Sequence, residues 1–279
     1  MLLYRTHVGP VVNSNGQLIA VDRDWTELIN DNDLFGWLTS HAAGQPHDTA
    51  LEAAIDKPLA PIADQEVWAA GVTYVRSRAA RMEESQEAGG GDFYDRVYSA
   101  VRPEIFFKAT AHRVVGPGEA MHLRSDSRWV VPEPELTLAV TRDARIVGYT
   151  IGNDLSARDL EGENPLYLPQ AKTFDRCAAL GPAILVAPTA PPPTTAIRLR
   201  IVRHGETVVA DETTLAQMKR GLEELVEFLF RDNSHPQGCL LMTGTGIVPP
   251  NDFSLQAADV VEITIDGIGT LVNPMQGSD

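Results

Sequence analysis

The chain has 279 residues, 43% hydrophobic and 22% charged: ample material for a globular core, with no run near the roughly 18–20 apolar residues of a membrane span. A net charge of −15, with no lysine/arginine run to offset it, argues against a nucleic-acid partner. Cys177 and Cys239 form no CxxC pair, so two reduced core residues are expected rather than a disulfide or a zinc site. Met1-Leu2-Leu3-Tyr4-Arg5 lacks the basic-then-apolar order of a signal peptide, and a cytoplasmic protein is expected.

Taken in order, Leu2 to Ile19 reads as one or two strands broken by the hairpin signal Asn13-Ser14-Asn15-Gly16. Asp24 to Leu38 carries a weak helical pattern through Trp25, Leu28, Ile29 and Leu34. Lys57-Pro58-Leu59-Ala60-Pro61 reads as an extended link, which places a domain boundary near residue 62. A small N-terminal domain over 1–62 and a larger one over 63–279 are therefore expected.

Beyond the link, strands dominate. Val67 to Val72, Ile105 to Lys108, Leu136 to Val140, Ile146 to Ile151, Ala183 to Val186, Ile197 to Arg203 and Val260 to Ile265 all read as β. Ser77 to Glu87 reads as a helix stopped by Gly89-Gly90-Gly91, a run whose weak backbone preference suits a lid. Thr214-x-x-Gln217 resembles a capping box, and Leu215, Met218, Leu222, Leu225, Val226 and Leu229 follow at helical spacing. The whole is an α+β chain dominated by β, without βαβ alternation.

The most informative segment is Val131-Pro132-Glu133-Pro134-Glu135-Leu136. Residues i and i+2 of a strand share a face, so Glu133 and Glu135 stand side by side. Like charges that close need solvent, a shared proton or a cation. A turn near Arg142-Asp143-Ala144 brings Asp154 back towards them. Three oxygen donors without histidine or thiolate favour a hard cation: magnesium, with manganese and calcium as alternatives. Lys172, among Leu168, Pro169 and Phe174, is placed to be partly buried beside that site.

These residues resemble the fumarylacetoacetate hydrolase superfamily. Glu133-x-Glu135, Asn153-Asp154-Leu155-Ser156-Ala157-Arg158-Asp159, Lys172-Thr173-Phe174, Gly181-Pro182 and Thr243-Gly244-Thr245-Gly246 occur in family order, and the match runs from about residue 64 to residue 275. The resemblance implies a mixed β-roll catalytic domain, usually homodimeric, with a smaller N-terminal domain; dimer and tetramer stay open. It implies Glu133, Glu135 and Asp154 as metal ligands, a 2-oxo acid as substrate, and substrate contacts from Lys172 and Thr245.

One departure matters. Many members carry GxNYxxHxxE, whose histidine activates water, whereas here Ser77 stands at that histidine's place within Gly71-Val72-Thr73-Tyr74-Val75-Arg76-Ser77-Arg78. That stretch, the Glu161 to Gln170 segment and Gly246-Ile247-Val248-Pro249-Pro250 resemble the dehydratase branch that acts on 2-keto-3-deoxy sugar acids such as 2-keto-3-deoxy-D-arabinonate. Loss of water from such an acid is the expected reaction, with Glu104 and Lys172 as the proton-transfer groups and Thr73, Arg76, Arg78 and Thr245 at the substrate. Arg158 and Asp159 read as a structural ion pair, and Ser156 as a turn hydroxyl. A C–C hydrolase of 2,4-dioxo acids, a 2-oxo-diacid isomerase or decarboxylase, and an inactive metal-binding assembly protein are the alternatives.

Overall fold

A computed structural model of the chain describes residues 1–77 and 97–277. Its strands, in chain order, are β1 (Leu2–Thr6), β2 (Gly9–Ser14), β3 (Gln17–Ala20), β4 (Glu66–Gly71), β5 (Glu104–Thr110), β6 (Val114–Val115), β7 (Met121–His122), β8 (Val130–Val131) and β9 (Pro134–Val140). There follow β10 (Ile146–Asp154), β11 (Ser156–Ala157), β12 (Ala178–Leu185), β13 (Ala196–Arg203), β14 (Glu206–Thr214), β15 (Cys239–Met242), β16 (Val260–Ile265) and β17 (Gly269–Gln276).

The largest sheet runs β3-β2-β1-β12-β10-β9-β15-β4-β5, with β6 beside β12, and a second runs β14-β13-β16-β17-β7. Parallel pairs (β15 with β4, β12 with β6, β17 with β7) stand among antiparallel ones, so the fold is mixed and β-dominated, as expected.

Period-2 burial on both faces explains the three layers. Leu136, Leu138, Val140, Ala179 and Leu241 point into one apolar cluster with Ile197, Leu199, Ile201, Val261 and Ile263 of the smaller sheet. Their alternating neighbours Ala139, Ala178, Leu180, Leu240 and Met242 point the other way, against Trp25, Leu28, Ile29, Leu34 and Leu38 from the helices Trp25–Ile29 and Leu34–Ala42. Strands covered on both sides read as continuous apolar runs, and every residue of β9 is buried. The N-terminal strands are continuous with this sheet: β1 pairs with β12 at Leu2↔Leu185 and Leu3↔Ile184. Cys177 and Cys239 are free and buried, as read.

Three sequence readings change. The segment from Leu2 holds three strands, turning at Asn15 and Gly16, both at positive φ. The helix expected from Thr214 instead begins at Leu222 and spans Leu222–Phe230. Residues before it are held out of the helix because Lys219 N donates to Thr73 O (2.9 Å) and Met218 bridges Tyr74. The Glu224 side chain then accepts from Gly221 N (3.3 Å) and caps the true start. β14, β15 and β17 escaped notice because β14 is largely exposed and β15 is a short all-apolar run. The expected Ser77–Glu87 helix, the Gly89-Gly90-Gly91 lid and Arg78 lie wholly or mainly outside the described residues.

Leu138 sits fully buried between the two sheets. Leu138→Ala is expected to cost about 2–5 kcal/mol, lowering Tm by roughly 5–15 °C in calorimetry; a drop below about 2 °C would remove it from the core.

Candidate metal centre

The β9–β10 hairpin builds the centre. Its antiparallel register sets Gly152 opposite Glu135 and Asn153 opposite Pro134, and Asp154 N donates to Glu133 O at 3.0 Å. Glu133 on the β8–β9 junction, Glu135 in β9 and Asp154 at the end of β10 therefore converge, each buried, with one oxygen from each within 4.8 Å of the others. The turn that returns the chain uses Ala144 in the left-handed region, φ 59°.

Buried cations surround this negative charge. Lys172 Nζ donates to Glu133 Oε2 (2.7 Å), Ser156 Oγ (2.6 Å) and Asp154 Oδ2 (3.3 Å), and lies 5.5 Å from the Phe106 ring centre. Arg158 Nη2 donates to Glu133 Oε1 at 3.0 Å. Lys108, fully buried, places Nζ 2.6 Å from Asp154 Oδ1 and donates to Leu155 O (2.9 Å) and Lys172 O (2.5 Å). Its contact with Asp154 is close but off the hydrogen-bond direction, and it leaves Oδ1 buried without a hydrogen bond.

These three cations contact Glu133 and Asp154, whereas Glu135 accepts from the Gly244 N–H. The Glu135 carboxyl is held well above the usual carboxylate range, by burial first and then by Asp154 and Glu133; Lys172 and the Gly244 N–H, 2.5 Å from Glu135 Oε2, oppose that shift only in part. A hard divalent ion fits this donor set: three buried oxygens, one carboxyl raised by burial and by its acidic neighbours, and one carboxylate oxygen without a hydrogen bond.

The carboxylates open on a narrow cleft lined by Ala70, Gly71, Glu104, Phe106, Glu161 and Thr245 among others. Close backbone approach shapes its walls. A Cβ at Gly71 would collide with the Glu104 carboxylate, and one at Gly244, which sits at φ +91°, would collide with the Thr73 hydroxyl. Glu104, Lys172, Thr245 and Ser77 all face this space. Ser77 Oγ donates to Tyr74 O (2.9 Å) and accepts from Tyr74 N.

Thr73 and Arg76 do not line the cleft. The Thr73 hydroxyl donates to Thr243 O (2.7 Å), while Arg76, more than half exposed, reaches Val248 O (3.0 Å) and Asp211 (3.4 Å). The Arg158–Asp159 pairing is corrected: Arg158 turns inward to Glu133, while Asp159 accepts from Ser127 Oγ (2.5 Å) and Arg128 N (2.7 Å). Successive residues leave a helix about 100° apart and cannot both face the cluster. Ser156 is more than a turn hydroxyl, since it accepts from Lys172 as well as donating to Asp154 O (2.9 Å).

Sequence reasoning missed Lys108 and Glu161. Each had a signal. Lys108 interrupts the apolar run Ile105-Phe106-Phe107, and Glu161 follows Arg158 by three, on the same helical face.

Converging buried carboxylates ringed by lysines, at the floor of a cleft in a mixed sheet, define a metal-assisted enzyme. The chain belongs to the fumarylacetoacetate (FAA) hydrolase family, whose C-terminal domain matches residues 67–276. It is 48% identical over 228 residues to a probable 2-keto-3-deoxyxylonate dehydratase of Haloferax volcanii, covering 81% of this chain and 78% of that one. It is 47% identical over 224 residues to the 2-dehydro-3-deoxy-D-arabinonate dehydratase of Saccharolobus solfataricus, covering 80% and 74%. Its fold superposes on a solved 2-keto-3-deoxy-D-arabinonate dehydratase complexed with magnesium and 2,5-dioxopentanoate, with a TM-score of 0.83 at 38% identity over 100% of this chain and 99% of that one. Among the described residues no helix is long and apolar enough to cross a membrane.

The raised Glu135 carboxyl gives a signed prediction. In metal-free protein the cost of ionising it is absent below the unfolded value near 4.5 and grows as pH rises above it. The Tm difference between magnesium and EDTA is therefore expected to widen from about pH 5 to about pH 8, reaching roughly 5–10 °C at a hundredfold excess of metal over Kd. A pH-independent difference would dissociate Glu135 from the metal.

Proposed function

We propose that this protein is a magnesium-dependent dehydratase of a 2-keto-3-deoxy sugar acid, with 2-keto-3-deoxy-D-arabinonate as the type substrate and 2,5-dioxopentanoate as product. The observation that carries this over a hydrolase is the cleft itself. Glu104 and Lys172 share it with the carboxylate triad, and no histidine is among the described residues that line it. Similarity to two sugar-acid dehydratases at 47–48% identity supports the same reading.

Glu133, Glu135 and Asp154 would hold the ion. When bound there, it would polarise the 2-oxo carbonyl and acidify the C3 protons. The protein's residues do the rest. Glu104 and Lys172 trade protons: a C3 proton is removed, and the C4 hydroxyl leaves as water after receiving a proton. Transfer of a C5 proton to C3 moves the new double bond to C4–C5, and the enol so formed ketonises to the C5 aldehyde. Phe106 and the close-set backbone at Gly71 and Gly244 keep bulk water from the reacting carbons. Lys108, Arg158 and Ser156 orient the groups that touch substrate.

The finer parts of the proposal are a homodimer or homotetramer in the cytoplasm, without a nucleic-acid or membrane partner. The acidic surface and the family resemblance support it.

Incubated with 2-keto-3-deoxy-D-arabinonate and magnesium, the protein is expected to form an aldehyde and no pyruvate. Pyruvate released from 2,4-dioxo acids would favour the hydrolase instead. Glu133→Gln is expected to lower activity at least about a hundredfold together with magnesium affinity. Glu104→Gln is expected to lower kcat by roughly 10²–10⁴-fold with magnesium affinity kept. Full activity of Glu133→Gln in EDTA would remove the metal from the account.

A further inference from the structure

We propose that the cavity between the β9–β10 turn and the helix Leu222–Phe230 binds a small zwitterion, with an ammonium and a carboxylate on a short aliphatic frame; an α-amino acid is the simplest case. The site is separate from the metal centre and goes beyond the dehydratase reading.

The cavity has a volume of about 670 Å³ and shares no lining residue with the cleft that holds the carboxylates. One wall is the start of β10 with the turn before it. Another is the chain leaving β12, and the third is the first two turns of the helix Leu222–Phe230. Ile146, Pro188 and Val226 give it aliphatic sides.

Tyr149 carries the argument. Its ring belongs to the apolar cluster between the two sheets and the residue is 6% exposed, yet it lines the cavity. Among the described residues its hydroxyl makes no hydrogen bond. A hydroxyl held that deep without a partner costs free energy, which a ligand atom at hydrogen-bond distance offsets. Burial and then the neighbouring Glu223 push it up to about 12, so it is a neutral phenol at pH 7. The ladder of β10 is irregular on both edges here, between Ile146 and Gly148 against β9 and between Tyr149 and Ile151 against β12. Such bulges re-aim side chains.

Two opposite charges share the cavity with that hydroxyl. Arg145 on the turn and Glu223 on the helix both line it, and among the described residues neither forms an ion pair, with the other or with any neighbour. Glu227, by contrast, is taken by Arg231 at 2.5 Å. A plain anion is repelled by Glu223 and a plain cation by Arg145. A molecule with both charges satisfies both. Its carboxylate pairs with the Arg145 guanidinium, and its ammonium donates to Glu223 and to the Tyr149 oxygen.

Three molecules on one carbon frame test this. L-Leucine carries both charges, 4-methylpentanoate the carboxylate alone and 3-methylbutylamine the ammonium alone. In calorimetric titration of the full chain, leucine is expected to bind at least about tenfold more tightly than either of the others. Its affinity is expected to be the same in magnesium and in EDTA, because the metal cleft lies elsewhere. Arg145→Gln is expected to weaken leucine at least about fivefold and to strengthen 3-methylbutylamine; Glu223→Gln is expected to weaken leucine and to strengthen 4-methylpentanoate. Both side chains are exposed, so both variants keep the fold. Tyr149→Phe, which deletes one oxygen, is expected to weaken leucine about threefold or more. Absence of leucine binding at millimolar concentration, equal affinity for all three molecules, or loss of binding in EDTA overturns the proposal; the last would move the amino acid to the metal centre. Dissociation of an oligomer in the Tyr149→Phe protein, with no leucine bound by the unmodified chain, overturns it too and gives the cavity to a second copy. The dehydratase reading stands under every one of these outcomes.

Discussion

Everything in this protein is arranged around a repulsion. The β9–β10 hairpin carries Glu133, Glu135 and Asp154 to within 4.8 Å of one another, away from water. Unit charges at such separations repel by about 3–4 kcal/mol per pair at an effective dielectric constant near 20. No small adjustment relieves this, because the register of two almost wholly buried strands fixes the backbone. Relief comes from charge: Lys172 across Glu133 and Asp154, Arg158 on Glu133, Lys108 on Asp154. Glu135 is the carboxyl these cations compensate least: burial and its two acidic neighbours raise it, and a divalent ion would offset both. Structure and function meet at Glu135, since an ion that binds the folded chain there stabilises it by mass action.

Lys108 shows how far the arrangement reaches. Its ammonium touches an Asp154 oxygen and the carbonyls of Leu155 and Lys172, so β5, the end of β10 and the helix Leu168–Lys172 are tied at one atom. Moving β5 would move a ligand carboxylate and the substrate-side lysine together. Glu104 lies on the same strand, four residues earlier. A proton-transfer group, a ligand anchor and the cleft-lining Phe106 thus share one rigid element.

Much of this was legible in the sequence, and for identifiable reasons. Glu133-x-Glu135 and Asp154 could be paired because strand periodicity and one short turn are local rules. The N-terminal hairpin and the apolar strands β4, β5, β9, β10, β13 and β16 were readable on the same grounds. What escaped depended on distant contacts. The helix start moved from Thr214 to Leu222 because a backbone bond to Thr73, far away in sequence, competes with helix formation. Arg158 looked tied to its neighbour Asp159, and only the folded helix shows that the two face apart. Lys108 looked like a strand-end lysine because its three partners come from segments that start some 46 residues later. The boundary read near residue 62 marks a change in composition, whereas the hydrogen bonds of β1 run straight into β12.

The glycines of the cleft carry a consequence for adaptation. At Gly71 and Gly244 the walls are bare main chain, packed against Glu104 and Thr73 so closely that a methyl group does not fit. No residue is smaller than glycine, so the cavity can never be widened at these points, and any larger residue there has to displace Glu104 or Thr73. Room for a bulkier substrate has to come from trimming a side chain, and among the lining residues Phe106 and Thr245 have most to give without disturbing the acids. The range of molecules this scaffold can learn to accept is bounded by its own backbone.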